Sequence, residues 1–164
     1  MDSILDRLVE HVGDDFQQRE YYSLNGMIDL ENLDSPITMM LEYWLDLKNG
    51  KPGAPKANDF LVSKLWEMKI PHRVTIYDCS AENPANFRIT HHAYHAGNTD
   101  WIYGAPVMGQ PICSLRSSLI SEALQGDYLH SKGFQDDGTL LYTRVRQFIN
   151  GVHRDYSRLL LPFS

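Results

Sequence analysis

The feature that most constrains this chain is the dipeptide Asn150-Gly151, set inside the run Leu140 to Phe163 (LLYTRVRQFINGVHRDYSRLLLPF). Both central positions of a two-residue type I′ turn need positive φ, and Asn-Gly is the pair that adopts it at least cost. A turn centred there sets Ile149 opposite Val152, Val145 opposite Tyr156 and Leu141 opposite Leu160. The other face pairs Phe148 with His153, Arg146 with Asp155, Tyr142 with Leu159 and Leu140 with Leu161. Such cross-strand pairs contribute about 0.2–1 kcal/mol each, and a slip by one residue loses them together. The length of the hairpin and its Leu159-Leu160-Leu161 end predict the central pair of a larger antiparallel sheet with a covered face.

Toward the N-terminus the periodicity is helical. Ile4, Leu5, Leu8 and Val9 predict a short amphipathic helix over Ser3 to Val12, stopped by Gly13-Asp14-Asp15. Residues 16–33 have weak periodicity and read as an irregular or partly helical connection. Asp34-Ser35-Pro36 has the form of a helix start, a capping side chain just before a proline in the first turn. Ile37, Met40, Leu41, Trp44 and Leu47 follow at helical spacing, and Asn49-Gly50 closes the element. The linker KPGAPKAND leads to a second helix from Asn58 to Lys69, carrying Leu61, Leu65, Trp66 and Met68. Ile4, Leu8, Met40, Trp44 and Trp66 exceed what single helices can bury and need the sheet or a partner.

After Ile70-Pro71 the apolar pattern alternates. Arg73 to Cys79 and Asn86 to Tyr94 read as two strands of an antiparallel hairpin. Residues 96–111 are rich in Gly and Pro and support only short helical turns and loops. Ser114 has the chemistry to cap a helix with Leu115, Leu119, Ile120, Ala123 and Leu124 on one side, ended by Gly126. Two hairpins joined by a long irregular crossover imply one sheet with the crossover and its helix across a single face. A small ligand would sit between the two.

Length and charge narrow the function. At 164 residues the chain suits one structural unit, divided here into an N-terminal helical extension (1–69) and a sheet-bearing core (70–164). A net charge of -6 argues against a nucleic-acid partner. No apolar run is long enough for a transmembrane helix, and the N-terminus lacks the order of a signal peptide. Cys79 and Cys113 stand without metal-type spacing and read as ordinary reduced thiols, which favours the cytoplasm.

The element order resembles a PAS domain. MLEYWLDLKNGKPGAPKANDF (40–60) and VHRDYSRLLLPFS (152–164) are similar to an alphaproteobacterial PAS-fold family. That family has a YW-containing helix and Gly/Pro linker before the sensor core, and a YxRLLLP strand near its end. The resemblance covers most of residues 37–164. It implies an α+β fold: an antiparallel sheet, a helical crossover on one face and an N-terminal helical extension. It further implies a sensory or interaction module without catalytic residues, dimerising through its N-terminal helices and holding a small molecule under the crossover. Family members continue past the leucine-rich strand with a turn and one more strand, whereas here the sequence stops at Ser164. No cofactor is assigned, because fold alone transfers none.

Aromatic side chains are the candidate ligand-binding set: Tyr77, Tyr94, Trp101, Tyr103 and Tyr142, with Met108. Ordinary core packing is the competing explanation for any one of them. His91 and His95 would point to the same side of a strand and are the candidate metal ligands, with Cys79 or Asp78 as a third. Surface histidines are the commoner outcome of such a cluster, and no metal is assigned. His92 points to the opposite side. Cys113, ahead of a helix start, has a position that favours a thiolate, although a buried inert thiol is the more frequent case. No G-x-S-x-G elbow is present. The alternative to a sensor is a small cone-shaped α+β enzyme, with a polar dyad drawn from His91, His95, Asp78 or Asp100. A third alternative is a pure dimerisation module.

Overall fold

The structure is a computed structural model that describes residues 4–28, 33–91, 109–115, 118–133 and 140–164. It is an α+β fold whose main feature is a four-stranded antiparallel sheet. The chain divides into two compact units, residues 1–60 with 131–164, and residues 61–130.

In the first unit the strands are β1 (Ile4–Val12), β2 (Asp15–Tyr22), β5 (Leu141–Ile149) and β6 (Val152–Leu160), in the order β1-β2-β5-β6. The β5–β6 hairpin has the expected register, from Ile149 opposite Val152 to Leu141 opposite Leu160. Asn150 and Gly151 have φ of 51° and 76°, as a type I′ turn requires. The expected Leu140–Leu161 pair falls beyond the end of the ladder.

The helix expected over Ser3 to Val12 is a strand. Gly13-Asp14 is a two-residue turn with Gly13 at φ +60°, which joins Val12 to Asp15 and continues into a full ladder with β2. Glycine at the first central position is the mark of a tight hairpin. The spacing of Ile4, Leu5, Leu8 and Val9 suits a helix, but a nine-residue strand gains a hydrogen-bonded partner that a lone short helix lacks. The segment read as irregular over 16–33 accordingly holds β2 and a short helix, α1 (Leu24–Ile28).

Helix α2 (Ser35–Lys48) forms where expected, with Asp34 at the N-cap position and Asn49 left-handed at its end. It buries Ile37, Met40, Leu41 and Trp44. Trp44, Leu41 and Ile37 join Met27, Tyr22, Leu140 and Tyr142 in one core cluster, with Leu159, Leu161 and Phe163 packed against it. The Trp44 indole donates to the Pro162 carbonyl at 2.9 Å. Ser164 exchanges backbone hydrogen bonds with Pro55 and Ala57, and Phe163 meets Phe60 edge-on at 5.2 Å. The segment after β6 is thereby clasped to the linker after α2. Strand β6 is an edge of the sheet, so no further strand lies beside it among the described residues.

The second unit holds α3 (Ser63–Glu67), β3 (Ile76–Asp78), β4 (Arg88–His91) and most of α4 (Ser118–Gly133). The helix expected over Asn58 to Lys69 is shorter. A 3-10 turn at Ala57–Asp59 precedes α3, and Lys69 at φ +60° stops it. Leu65 is buried, whereas Leu61 and Trp66 are exposed. The strand read over Arg73 to Cys79 shrinks to three residues, because Pro71–Arg73 winds into a 3-10 turn. In the strand read over Asn86 to Tyr94, Arg88–His91 is extended, and residues 92–94 lie outside the described part. The β3–β4 hairpin is antiparallel as predicted, but it forms its own two-stranded sheet. The neighbour of β5 is β2, so the single sheet containing both predicted hairpins is not what forms.

Of the expected crossover over residues 96–111, only residues 109–111 are described, and residues 92–108 lie outside the described part. Gly109 donates to the Ile89 carbonyl, Ile89 to Gln110 and Ile112 to Phe87, so residues 109–112 run back along β4. The next described α-helix in the chain is α4. That helix passes through Gly126, where an ending is expected, and continues to Gly133. Buried Leu119, Ile120, Ala123 and Asp127 share one helical face, and that burial outweighs the roughly 1 kcal/mol of an interior glycine. Tyr128 meets Phe87 edge-on at 4.7 Å.

Because no atom lies within 4 Å of a Cβ built on Gly151, a substitution there acts through the backbone alone. Gly151→Val is expected to lower stability by about 1–2 kcal/mol, read as a lower urea midpoint at unchanged slope.

Candidate functional site

Directly opposed residues of antiparallel strands share a face, and successive residues alternate. The register therefore sorts the four-stranded sheet into two faces. One carries Glu10 on β1, Gln17, Arg19 and Tyr21 on β2, Thr143, Val145 and Gln147 on β5, and Tyr156 and Arg158 on β6. The other carries Arg7, Glu20, Tyr22, Tyr142, Arg144, Arg146 and Leu159, and the α1–α2 core closes the Tyr22–Tyr142 end of it.

The first face is the anomaly. Gln17, Arg19, Thr143 and Gln147 are all buried to 1% exposure or less. Polar groups at that depth have to be hydrogen-bonded or they cost stability. Gln17 Nε2 donates to Gln147 Oε1 at 2.8 Å, which joins β2 to β5 by side chains as well as backbone. The Tyr156 hydroxyl donates to the same oxygen at 3.3 Å. Arg19 Nη2 pairs with Glu10 Oε1 at 2.8 Å, and its guanidinium lies 5.7 Å from the centre of the Tyr21 ring. Glu10, Gln17 and Gln147 thus form one row across three strands, and Arg19 and Tyr156 flank it in the next.

Sequence reading missed this row, because β1 and β2 were expected to be helix and irregular chain. The available signal was Gly13-Asp14 as a hairpin turn, which makes Gln17, Arg19 and Tyr21 one side of a strand.

On the opposite face Tyr22 donates to Glu20 Oε2 at 3.0 Å, and Glu20 Oε1 pairs with Arg7 at 3.0 Å. Burial first, and then the bond to Glu20 and its charge, raise the Tyr22 phenol above its ordinary value of 10.0, while Arg144 pulls the other way. A folded-state pKa above the unfolded one means that the protonated phenol stabilises the fold below pH 10 and that this contribution is lost as pH rises through the raised value. Arg146 pairs with Asp155 at 3.6 Å with both side chains well exposed, a contact worth about 0–1 kcal/mol.

Of the expected ligand-binding residues, Tyr142 lies in the core cluster, its ring 5.8 Å from Tyr22 and 2% exposed. Tyr77 is half-buried on β3 in the second unit. Tyr94, Trp101, Tyr103 and Met108 lie outside the described residues, as do His92, His95 and Asp100. His91 Nε2 lies 2.9 Å from the Pro71 carbonyl, and its ring meets the exposed Trp66 edge-on at 5.9 Å. Asp78 accepts from the Ser80 amide at 2.9 Å and stands opposite Arg88, whereas His91 stands opposite Ile76. The two are therefore not paired as a dyad. Among the described residues no three His, Cys, Asp or Glu side chains group as metal ligands. Cys79 and Cys113 are free and exposed. Cys113 sits in a 3-10 turn (Ile112–Ser114), ahead of the helix start at Ser118. No helix among the described residues is long and apolar enough to cross a membrane. No family model, curated protein or solved structure matches this chain.

Gln147→Leu alone strands the buried Gln17 donor and removes the acceptor of Tyr156, so it is expected to cost about 1–3 kcal/mol. Gln17→Leu combined with Gln147→Leu is expected to return close to wild type, and a urea double-mutant cycle measures the coupling. Independently, stability is expected to fall as pH is raised above 10, with Tyr22→Phe flattening that slope in urea midpoints taken from pH 8 to 11.

Proposed function

We propose that this chain is a sensory or regulatory module of PAS-like character that binds a small molecule and passes the event on through sheet and helix packing or a contact between two copies. The observation that carries this reading is the polar row Glu10–Gln17–Gln147, with Gln17, Gln147 and the neighbouring Arg19 buried and Tyr156 beside them. A sheet face that served stability alone would be served as well by apolar side chains. Polar groups fixed by their neighbours are what a small-molecule site uses for orientation.

Ligand control of a dimer or of helix packing requires different affinity for two arrangements. Residues 4–12 form an edge strand and not a helix, so a contact between copies through them would not be a helix–helix one. Free, exposed thiols fit work in a reducing compartment, the cytoplasm being the one we propose.

The test is a thermal-shift screen of the whole chain against metabolites. A ligand at 100 times its Kd adds about 2.7 kcal/mol, and each kcal/mol moves Tm by about 2–4 °C in a chain of this size. The expected result is at least one stabilising compound whose shift disappears in the Gln17→Leu, Gln147→Leu variant. No shift from any compound would overturn the reading.

A further inference from the structure

Strand β6 touches both sides of the first unit. Its pleat sends Tyr156 and Arg158 to the polar face and Leu159 to the other. On the polar face the Tyr156 hydroxyl lies 3.3 Å from Gln147 Oε1. A hydroxyl both donates and accepts, so the contact holds whichever way that amide is turned. Arg158 keeps its Nε and Nη2 sheltered on the same face. On the other face Leu159 packs against the α1–α2 core cluster, as do Leu161 and Phe163 beyond the strand.

The residues after β6 form a strap. Pro162 accepts from the Trp44 indole at 2.9 Å, and Ser164 donates to the Pro55 carbonyl and accepts from the Ala57 amide. Phe163 meets Phe60 edge-on, and Phe60 in turn lies 5.7 Å from the Tyr43 ring of α2. Residues 161–163 are half-buried and Ser164 is exposed. A segment with few buried contacts and partly exposed hydrogen bonds opens locally, at less cost than unfolding the sheet beside it.

The strands differ in their freedom to respond. Strands β2 and β5 also reach both faces, but each is laddered on two sides. Strand β1 is an edge and carries Glu10, yet none of its residues joins the core cluster. Strand β6 has a ladder on one side only, a hydroxyl bonded into the polar row and a strap on α2 and its linker.

We propose that β6 with residues 161–164 is the output arm of the polar row, so that the way Tyr156 is held sets how firmly the strap closes on Trp44 and the linker. This rests on the sensory reading above and names the element that carries its signal. The open and closed strap supply the two states that coupling between separate groups requires, and such coupling acts in both directions.

Hydrogen exchange followed by NMR on the whole chain, without ligand, tests it. Tyr156→Phe removes the hydroxyl and keeps the ring. It is expected to speed exchange of the Ala57 amide and the Trp44 indole about threefold to tenfold, the scale of one net hydrogen bond, with the β2–β5 ladder unchanged. Asp155→Asn breaks an exposed pair on the other face of the same strand and is expected to alter neither proton. In the reverse direction, Phe163→Ala loosens the strap and is expected to move the Gln147 side-chain amide signals. Equal acceleration at every amide, which general destabilisation produces, would overturn the proposal. So would an effect of Asp155→Asn as large as that of Tyr156→Phe, or Gln147 signals indifferent to Phe163→Ala. Because no ligand takes part, the arm can fail while a stabilising metabolite upholds the sensory reading. Coupling found as expected in a chain that binds nothing overturns that reading alone.

Discussion

Everything in the first unit depends on the seam between β2 and β5. Seven residue pairs, Phe16–Phe148 through Tyr22–Tyr142, join hairpins separated by more than a hundred residues of chain. Each hairpin alone is marginal in water, and only their union makes a sheet broad enough to carry α2 and its core. The entropy of closing so long a loop grows slowly with its length, so the seam is affordable, but its register has to be right. A slip by one residue would turn Gln147 and Val145 to the opposite side and bring Arg144 and Arg146 inward. The Gln17–Gln147 amide bond rewards one register only, which gives that buried polar pair a structural use beside the functional one proposed for it.

Where local chemistry was decisive, the sequence could be read. Asn150-Gly151 set the β5–β6 register, and Asp34 through Gly50 bounded α2. A turn dipeptide specifies its own geometry, and so does an amphipathic run with proline in its first turn and a left-handed Asn49 at its end, although the Asp34 side chain makes no capping hydrogen bond. Where the deciding contact was distant, reading failed. Ile4, Leu5, Leu8 and Val9 fit a helix equally well, and only the ladder with β2 makes them a strand. The same error hid the candidate site, since Gln17 and Arg19 look like ordinary surface residues until their strand and its inward face are known. Gly126 shows the converse: a local stop signal overridden by the buried face of α4.

The two faces of the main sheet divide the labour. The Tyr22–Tyr142 end of one face, with Trp44 over it, is an apolar core of ordinary kind that anchors helix and linker. The opposite face keeps the Gln17 and Gln147 amides and the Arg19 guanidinium away from water and holds them with their neighbours. Cores of the first sort resist substitution through volume. A network of the second sort resists it through unpaired polar atoms, which is why paired replacements there are far milder than single ones.

The order of the strands has a consequence during synthesis. Hairpin β1–β2 is complete within the first two dozen residues, yet its inner edge has no partner until β5 emerges about 120 residues later, on the order of ten seconds at ribosomal speeds. Through that interval β2 exposes a row of backbone donors and acceptors, with Tyr21 and Tyr22 along it. Nascent copies on one messenger could pair at that edge before their own β5 arrives, so the first unit is the part of this protein with the most to gain from a chaperone that shields strand edges.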